Sequence, residues 1–290
     1  MTGPRVIVVG ALHHDIIVTA ERQPERGETL MGRSWRTALG GKGANQAVAA
    51  RRCGAEVSMV GAVGEDEMGT ALLHALSARG VDCEGVVTIP ATGSGMSIAT
   101  IDDAGDYAAV VVSGANKAID PDRVARCGIG EGDVVVLQNE VPEAVNMAAA
   151  QAARAAGARL VWNAAPMRDE RAGLLSLIDV LVVNAVEARQ MCALEVADLA
   201  GAQSAAQALG ADGVASVVTA GAHGFAARDP GGTLRQFPAI AVEHPVAHGA
   251  GDAFVGTLAA EMAAGAAFFP ALEAANTAAA RHVGGANRAG

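Results

Sequence analysis

The sequence predicts an α/β fold: a largely parallel central sheet with helices on both faces. Three observations predict it. Short runs of β-branched apolar residues recur along the chain, without the apolar/polar alternation of a half-exposed strand. From about residue 56 these runs alternate with Ala-rich helical segments. Gly80, Gly157 and Gly210 each follow such a segment, where C-capping glycines belong.

In chain order, Val6–Val9 reads as a buried first strand. It is too short for the core of a signal peptide, and no cleavage-type pattern clearly follows it. Residues 16–36 are polar and turn-rich, with Pro24, Gly27 and Gly32, and do not fit a β-α-β unit. A helix is expected over 47–52, a strand over 57–63 and a helix over 68–78. Residues 95–101 and Tyr107–Val112, joined by Asp102-Asp103-Ala104-Gly105-Asp106, carry a hairpin pattern. With residues 16–36 they predict a small antiparallel flap over one end of the sheet. Strands follow at 134–137, 160–162, 180–183 and 217–219, with helices at 142–156 and 202–209 between them. A second hairpin is expected at 225–228 and 234–237, around Pro230-Gly231-Gly232.

A chain of 290 residues suits one large α/β domain, or a domain with a small appendage, and 51% hydrophobic residues can bury a sizeable core. No apolar run approaches the roughly 20 residues of a membrane span. A net charge of −10 disfavours non-specific nucleic-acid binding, and two Trp, one Tyr and five Phe leave few platforms for base stacking. Cys53, Cys83, Cys127 and Cys192 lie far apart, so free thiols in a reducing cytoplasm are expected rather than a zinc site.

Several nucleotide and catalytic fingerprints are missing. Gly41-Lys42 is followed by Gly43 instead of Ser or Thr, so there is no Walker-type loop. The first strand exits into Gly10-Ala11-Leu12-His13-His14-Asp15, which lacks G-x-G-x-x-G. No G-x-S-x-G, HExxH or protein-kinase signature occurs.

Two glycine-rich junctions remain. Gly40-Gly41-Lys42-Gly43-Ala44-Asn45-Gln46 brings backbone close to a ligand, with Lys42 as a compact cation and Asn45 as donor and acceptor for hydroxyls. Gly249-Ala250-Gly251-Asp252 opens a late helix, whose N–H groups favour an anion and whose first turn places a carboxylate beside it. Read alone, each also suits an ordinary small-residue helix start with an exposed Lys or an N-terminal Asp.

Together with the Gly10…Asp15 strand exit, Gln138-Asn139-Glu140, Asn184-Ala185-Val186-Glu187 and Thr219-Ala220-Gly221-Ala222-His223-Gly224, these motifs resemble the ribokinase branch of the PfkB sugar-kinase family in order and spacing over essentially the whole chain. The resemblance implies a single ribokinase-like three-layer α/β/α domain over 1–290, with a β lid from about 12–38 and 93–114. It implies ATP-dependent phosphorylation of the primary hydroxyl of a small sugar, ribose or a related pentose. Asp252 is then the general base, with Gly249, Ala250 and Gly251 around the transferring phosphoryl group. The sugar falls to His13, Asp15, Gly41, Lys42, Asn45 and Glu140. Asn184 and Glu187 position Mg²⁺ and phosphates, Thr219, Gly221, His223 and Gly224 lie along the triphosphate with Gly251, and Asn276 borders the adenine. Pairing of flap edges implies a homodimer.

The chain departs from the family pattern at three places. Val246-Ala247-His248 stands where potassium-activated relatives carry an Asp-Thr-Thr-like run, so the K⁺ site is expected to be lost or altered. His13 stands where ribokinases commonly place Asn. After Val283-Gly284-Gly285-Ala286-Asn287 the sequence runs only to Gly290, where relatives usually carry a further segment toward the nucleotide. Two other readings stand beside the pentose kinase: a kinase of nucleosides or of other ketoses or deoxy-sugars, and a catalytically silent sugar-binding protein. The flap offers little beyond Met31, Met96 and Ile98 to face a nucleobase, and retention of Asp252, Lys42, Asn45 and Glu187 together argues against silence.

Overall fold

Along the first strand, Val6 and Val8 pack into one apolar cluster while Ile7 and Val9 pack into another. The same division recurs at Val134 and Val136 against Val135 and Leu137. Since successive side chains in a strand point to opposite faces, both faces of the sheet are buried and each needs a helical layer. The computed structural model describes residues 3–125, 127–168, 172–210, 213–243 and 249–285.

The elements run β1 (Val6–Val9), β2 (His13–Thr19), β3 (Ser34–Gly40), α1 (Lys42–Arg52), β4 (Val57–Gly64), α2 (Glu67–Ser77), β5 (Asp82–Ile89), β6 (Met96–Ile101) and β7 (Tyr107–Val112). They continue with α3 (Pro121–Val124), β8 (Val134–Gln138), α4 (Glu143–Ala156), β9 (Arg159–Asn163), α5 (Ala172–Leu175), β10 (Val180–Asn184), α6 (Ala185–Cys192), α7 (Leu199–Leu209), β11 (Ala215–Thr219), β12 (Gly224–Arg228), β13 (Leu234–Pro238), α8 (Ala250–Ala263) and α9 (Phe268–Val283). The nine-stranded sheet has the order β13-β12-β11-β10-β9-β8-β1-β4-β5. All pairs from β5 to β11 are parallel, and the hairpin β12–β13 extends that edge antiparallel. Residues from α1, α2, α8 and α9 fill one cluster, and residues from α4, α6 and α7 fill the other. This is the expected three-layer α/β/α fold.

Three features differ from the pattern read in the sequence. The helix expected at 47–52 begins at Lys42, with Gly41 as its N-cap, so most of the glycine-rich junction is helical. Gly43 is tolerated there because a Cβ would lie 2.8 Å from the Gly10 Cα: absence of side chains lets the helix start against β1. The edge strand β5 has no strand signature in the sequence, because its partly exposed stretch, with Asp82, Glu84 and Gly85, lacks an apolar run. The smaller sheet, order β3-β2-β6-β7, joins two antiparallel pairs along a parallel seam between β2 and β6.

Helix α8 is buried along nearly its whole length, including Asp252, and packs on both α1 and α9. Gly256 permits the approach to α1. A Cβ there would lie 2.4 Å from the Gln46 carbonyl oxygen and 2.6 Å from the Ala49 Cβ. We expect Gly256→Ala to destabilise the fold by about 1–3 kcal/mol, the usual cost of overpacking. A lower urea midpoint at unchanged m-value would show it.

Candidate active site

In a parallel sheet, polar residues gather past the carboxyl ends of strands, at the point where strand order reverses. Here that point is β1, flanked by β4 on one side and β8 on the other. His13 follows β1, Glu140 follows β8, and Asn163, Asn184 and Thr219 end β9, β10 and β11. The first turns of α1 and α8 bring Lys42, Asn45, Gln46 and Asp252 to the same place.

Asp252 lies at the centre. Gly249 caps α8 at φ 82, a left-handed conformation that glycine adopts without strain, and the carboxylate sits in the first helical turn. Its Oδ1 accepts from Gln46 Nε2 at 2.9 Å and its Oδ2 from Asn45 Nδ2 at 3.3 Å. Gln46, fully buried, also donates to Asn163 Oδ1 at 3.1 Å and accepts from Gln138 Nε2 at 2.7 Å. This chain of amides fixes the carboxylate plane. Gln46, Gln138 and Asn163 were not singled out from sequence as site residues. Gln46 and Gln138 belong to the Gly40–Gln46 and Gln138–Glu140 motifs, and Asn163 is marked in the sequence only as a polar residue closing the apolar run Leu160-Val161-Trp162.

Two cavities meet at Asp252. The larger, about 490 Å³, is lined by Asp15, Asn45 and Asp252 beneath the β3 strand of the smaller sheet. Asp15 is held there by Ser97, whose hydroxyl donates to Oδ1 at 2.6 Å. The smaller, about 160 Å³, is lined by Lys42, Asn184, Glu187, Thr219, Gly251 and Asp252 among others. Gly249 borders both, and Ala250 follows it in α8.

Charge is balanced between buried groups. Glu140 Oε2 accepts from the Lys42 backbone N–H at 2.7 Å. Burial pushes the Glu140 carboxyl above its ordinary range, His13 and Lys42 pull it back, and Asp252 adds to the rise. His13 is itself buried, and its Nε2 has no hydrogen-bond partner among the described residues. Asn184 and Glu187 form a capping box on α6: Glu187 Oε2 accepts from the Asn184 N–H at 2.8 Å and Oε1 from its Nδ2 at 3.0 Å. Burial pushes Glu187 up, while the Asn184 N–H and Lys42 oppose the shift.

Other sequence candidates lie further out. Gly41 caps α1 beside Lys42. Gly221 and His223 occupy the exposed turn between β11 and β12, and Gly224 begins β12. Asn276 is not brought to either cavity: its Nδ2 donates to the Pro238 carbonyl at 3.1 Å, tying α9 to β13. Val246, Ala247 and His248, the stretch expected to alter a K⁺ site, lie outside the described residues. Among the described residues, no group of three or more His, Cys, Asp or Glu side chains is placed to hold a metal ion. Glu187 and Asn184 present hard oxygens of the kind Mg²⁺ takes, usually together with water and phosphate.

The pfkB family carbohydrate kinase model matches residues 4–287. The ribokinase of Haemophilus influenzae is 34% identical over 253 residues, covering 86% of this chain and 82% of that protein. The ribokinase of Bacillus subtilis is 34% identical over 276 residues, covering 94% and 91%. The structure of Arabidopsis thaliana ribokinase complexed with ribose and ATP superposes with a TM-score of 0.87 at 28% identity, covering 97% of this chain and 93% of that one.

The raised Glu187 carboxyl predicts a pH effect on stability. A carboxyl with a folded pKa above its unfolded value costs folding stability as pH rises through that window, and the full cost persists above it. Glutamine does not titrate. In denaturation series from about pH 4 to pH 7, Glu187→Gln should therefore gain on the wild type as pH rises.

Proposed function

The chain belongs to the pfkB family of carbohydrate kinases, and we propose that its acceptor is ribose or a related pentose. It is an ATP-dependent sugar kinase. The observation that carries the site assignment is that one buried carboxylate, Asp252, borders both cavities. On the larger side, Asp15 and Asn45 offer the acceptor and donor groups that vicinal hydroxyls need, and the family resemblance assigns His13, Gly41 and Glu140 to the same sugar. On the smaller side, Lys42, Asn184, Glu187 and Thr219 suit a triphosphate, and the family resemblance assigns Gly221, His223 and Gly224, in the turn that follows Thr219, to the same group.

In this reading Asp252 takes the proton of the primary hydroxyl as its oxygen attacks the γ-phosphorus of ATP. The bond from phosphorus to the bridging oxygen breaks, and ADP leaves with that electron pair. N–H groups of Ala250, Gly251 and Asp252 at the start of α8 stabilise charge on the transferring group. Glu187 and Asn184 would hold Mg²⁺, directly or through water, where it neutralises phosphate charge. The four-stranded sheet over Asp15 serves as the lid, formed by about 12–38 and 93–114. Strand β7 ends that sheet and exposes Tyr107, Val110, Val111 and Val112, an apolar edge suited to pairing with a second copy. Cys53, Cys83, Cys127 and Cys192 are free, in keeping with a cytoplasmic protein, and no helix among the described residues is long and apolar enough to cross a membrane.

Coupled ADP-release assays across pentoses, hexoses and nucleosides test the reaction. Ribose should give the highest kcat/KM, and Asp252→Asn should lower kcat about 10²–10⁴-fold. If sugar binds but no acceptor stimulates ADP release, the kinase mechanism fails. The same assay with potassium replaced by a bulky organic cation should lose little activity, because Val246 offers no side-chain oxygen to an ion; strong activation by potassium would refute this. Light scattering should give a dimer for the wild type, and Val111→Lys should shift it toward monomer.

A further inference from the structure

The larger cavity changes character away from Asp252. Buried Asp252 and half-buried Asp15 give it carboxylates, while the exposed residues Arg36, Arg52, Arg79 and Arg281 line its solvent side together with His282. These arginines come from four separate places: Arg36 from β3, Arg52 from the end of α1, Arg79 from the turn after α2 and Arg281 from the last turn of α9. His282 reaches the start of α8, where a Cβ on Gly249 would lie 2.7 Å from its Nε2. Arg36, Arg52 and Arg281 have no carboxylate partner among the described residues.

Such convergence runs against the background charge. The whole chain carries 21 Lys and Arg against 31 Asp and Glu, so a random cleft would be acidic. Guanidinium groups facing one cleft focus a positive potential there, and their planar forks match a carboxylate or a phosphate. At about 490 Å³ the cavity also falls in the usual range for small-molecule sites, roughly 300–1,000 Å³, with room beyond a pentose.

We infer that the cleft accepts sugars carrying an oxyanion, a carboxylate or a phosphate, at the end remote from the hydroxyl that is phosphorylated. The inner polar groups hold the hydroxyl-bearing end against Asp252, and Arg36, Arg52 and Arg281 bind the anion, while Arg79 Nη1 donates to the Ala75 carbonyl at 2.8 Å. This rests on the reading of Asp15, Asn45 and Asp252 as the acceptor side. Neutral pentoses would occupy only the inner end.

Titration calorimetry on the full chain tests the inference without relying on turnover. The probes are ribose, D-ribonate, D-gluconate and ribose 1-phosphate; each anionic probe keeps a primary hydroxyl opposite its charge. At least one anionic probe should bind the wild type about tenfold more tightly than the double variant Arg52→Ala, Arg281→Ala, the loss of charge-assisted hydrogen bonds. Ribose affinity should stay within about twofold, and the gap for the anion should narrow as salt rises. The probe that binds should also stimulate ADP release in the wild type. Equal binding of anions to both proteins, or no anion binding while ribose binds, overturns the inference and leaves the pentose-kinase reading intact. Arginine-dependent anion binding without any ribose binding upholds it and removes the pentose assignment. Inorganic phosphate separates the sources: arginine-dependent binding of phosphate alone, with no anionic sugar bound, overturns the acceptor assignment.

Discussion

The contact on which the site depends is the close packing of α1 against α8 across Gly256. A side chain there would collide with the Gln46 carbonyl, so the two helices can approach only because none is present. That approach puts the Gln46 amide within hydrogen-bonding distance of Asp252, and Gln46 is in turn held by Gln138 and Asn163. The sheet and one helical layer thus meet in one buried polar chain running from the ends of β8 and β9 to the first turn of α8. A buried network of this kind is favourable when its donors find acceptors, and bringing Gln46 to Asp252 requires the helices to sit at one distance; Gln138 Oε1 is left without a partner among the described residues.

Charge obeys a similar constraint. Lys42 acts on two largely buried carboxylates, Glu140 and Glu187, and lowers the cost of keeping each ionised. Asp252 works the other way on Glu140, since like charges resist sharing a site. The arrangement separates two environments around one carboxylate: a smaller cavity with Lys42 and the α8 N-terminus, and a larger one that begins with carboxylate and amide groups and ends in arginines. In the proposed reaction the triphosphate and the sugar take these two sides of Asp252.

Much of this was legible in the sequence where one residue type has one physical use. Runs of Val and Ile with no alternation gave the parallel strands, and glycine-rich junctions gave the helix starts at the strand ends. Less was legible where the use depends on a neighbour far along the chain. Strand β5 carries too few apolar residues to stand out, because an edge strand buries less of itself. The helical start at Lys42 was hidden by Gly43, which disfavours helix locally and is accepted because Gly10 lies against it. Asn276 shows a second role that the sequence hid: its Nδ2 donates to the Pro238 carbonyl and ties α9 to β13.

By itself, then, the sequence determined the layer architecture and the identity of the groups at the strand ends, because hydrophobic periodicity and glycine placement are local properties. Tertiary structure alone decided which of those groups share a cavity. Asn163 and Gln46 are 117 residues apart and hydrogen-bonded, Gln46 and Asp252 are 206 apart, and Arg36, Arg52, Arg79 and Arg281 line one cleft from four separate places in the chain. Such contacts arise from how helices cross the sheet, and side-chain size at a few crossing points, above all Gly256, sets that crossing.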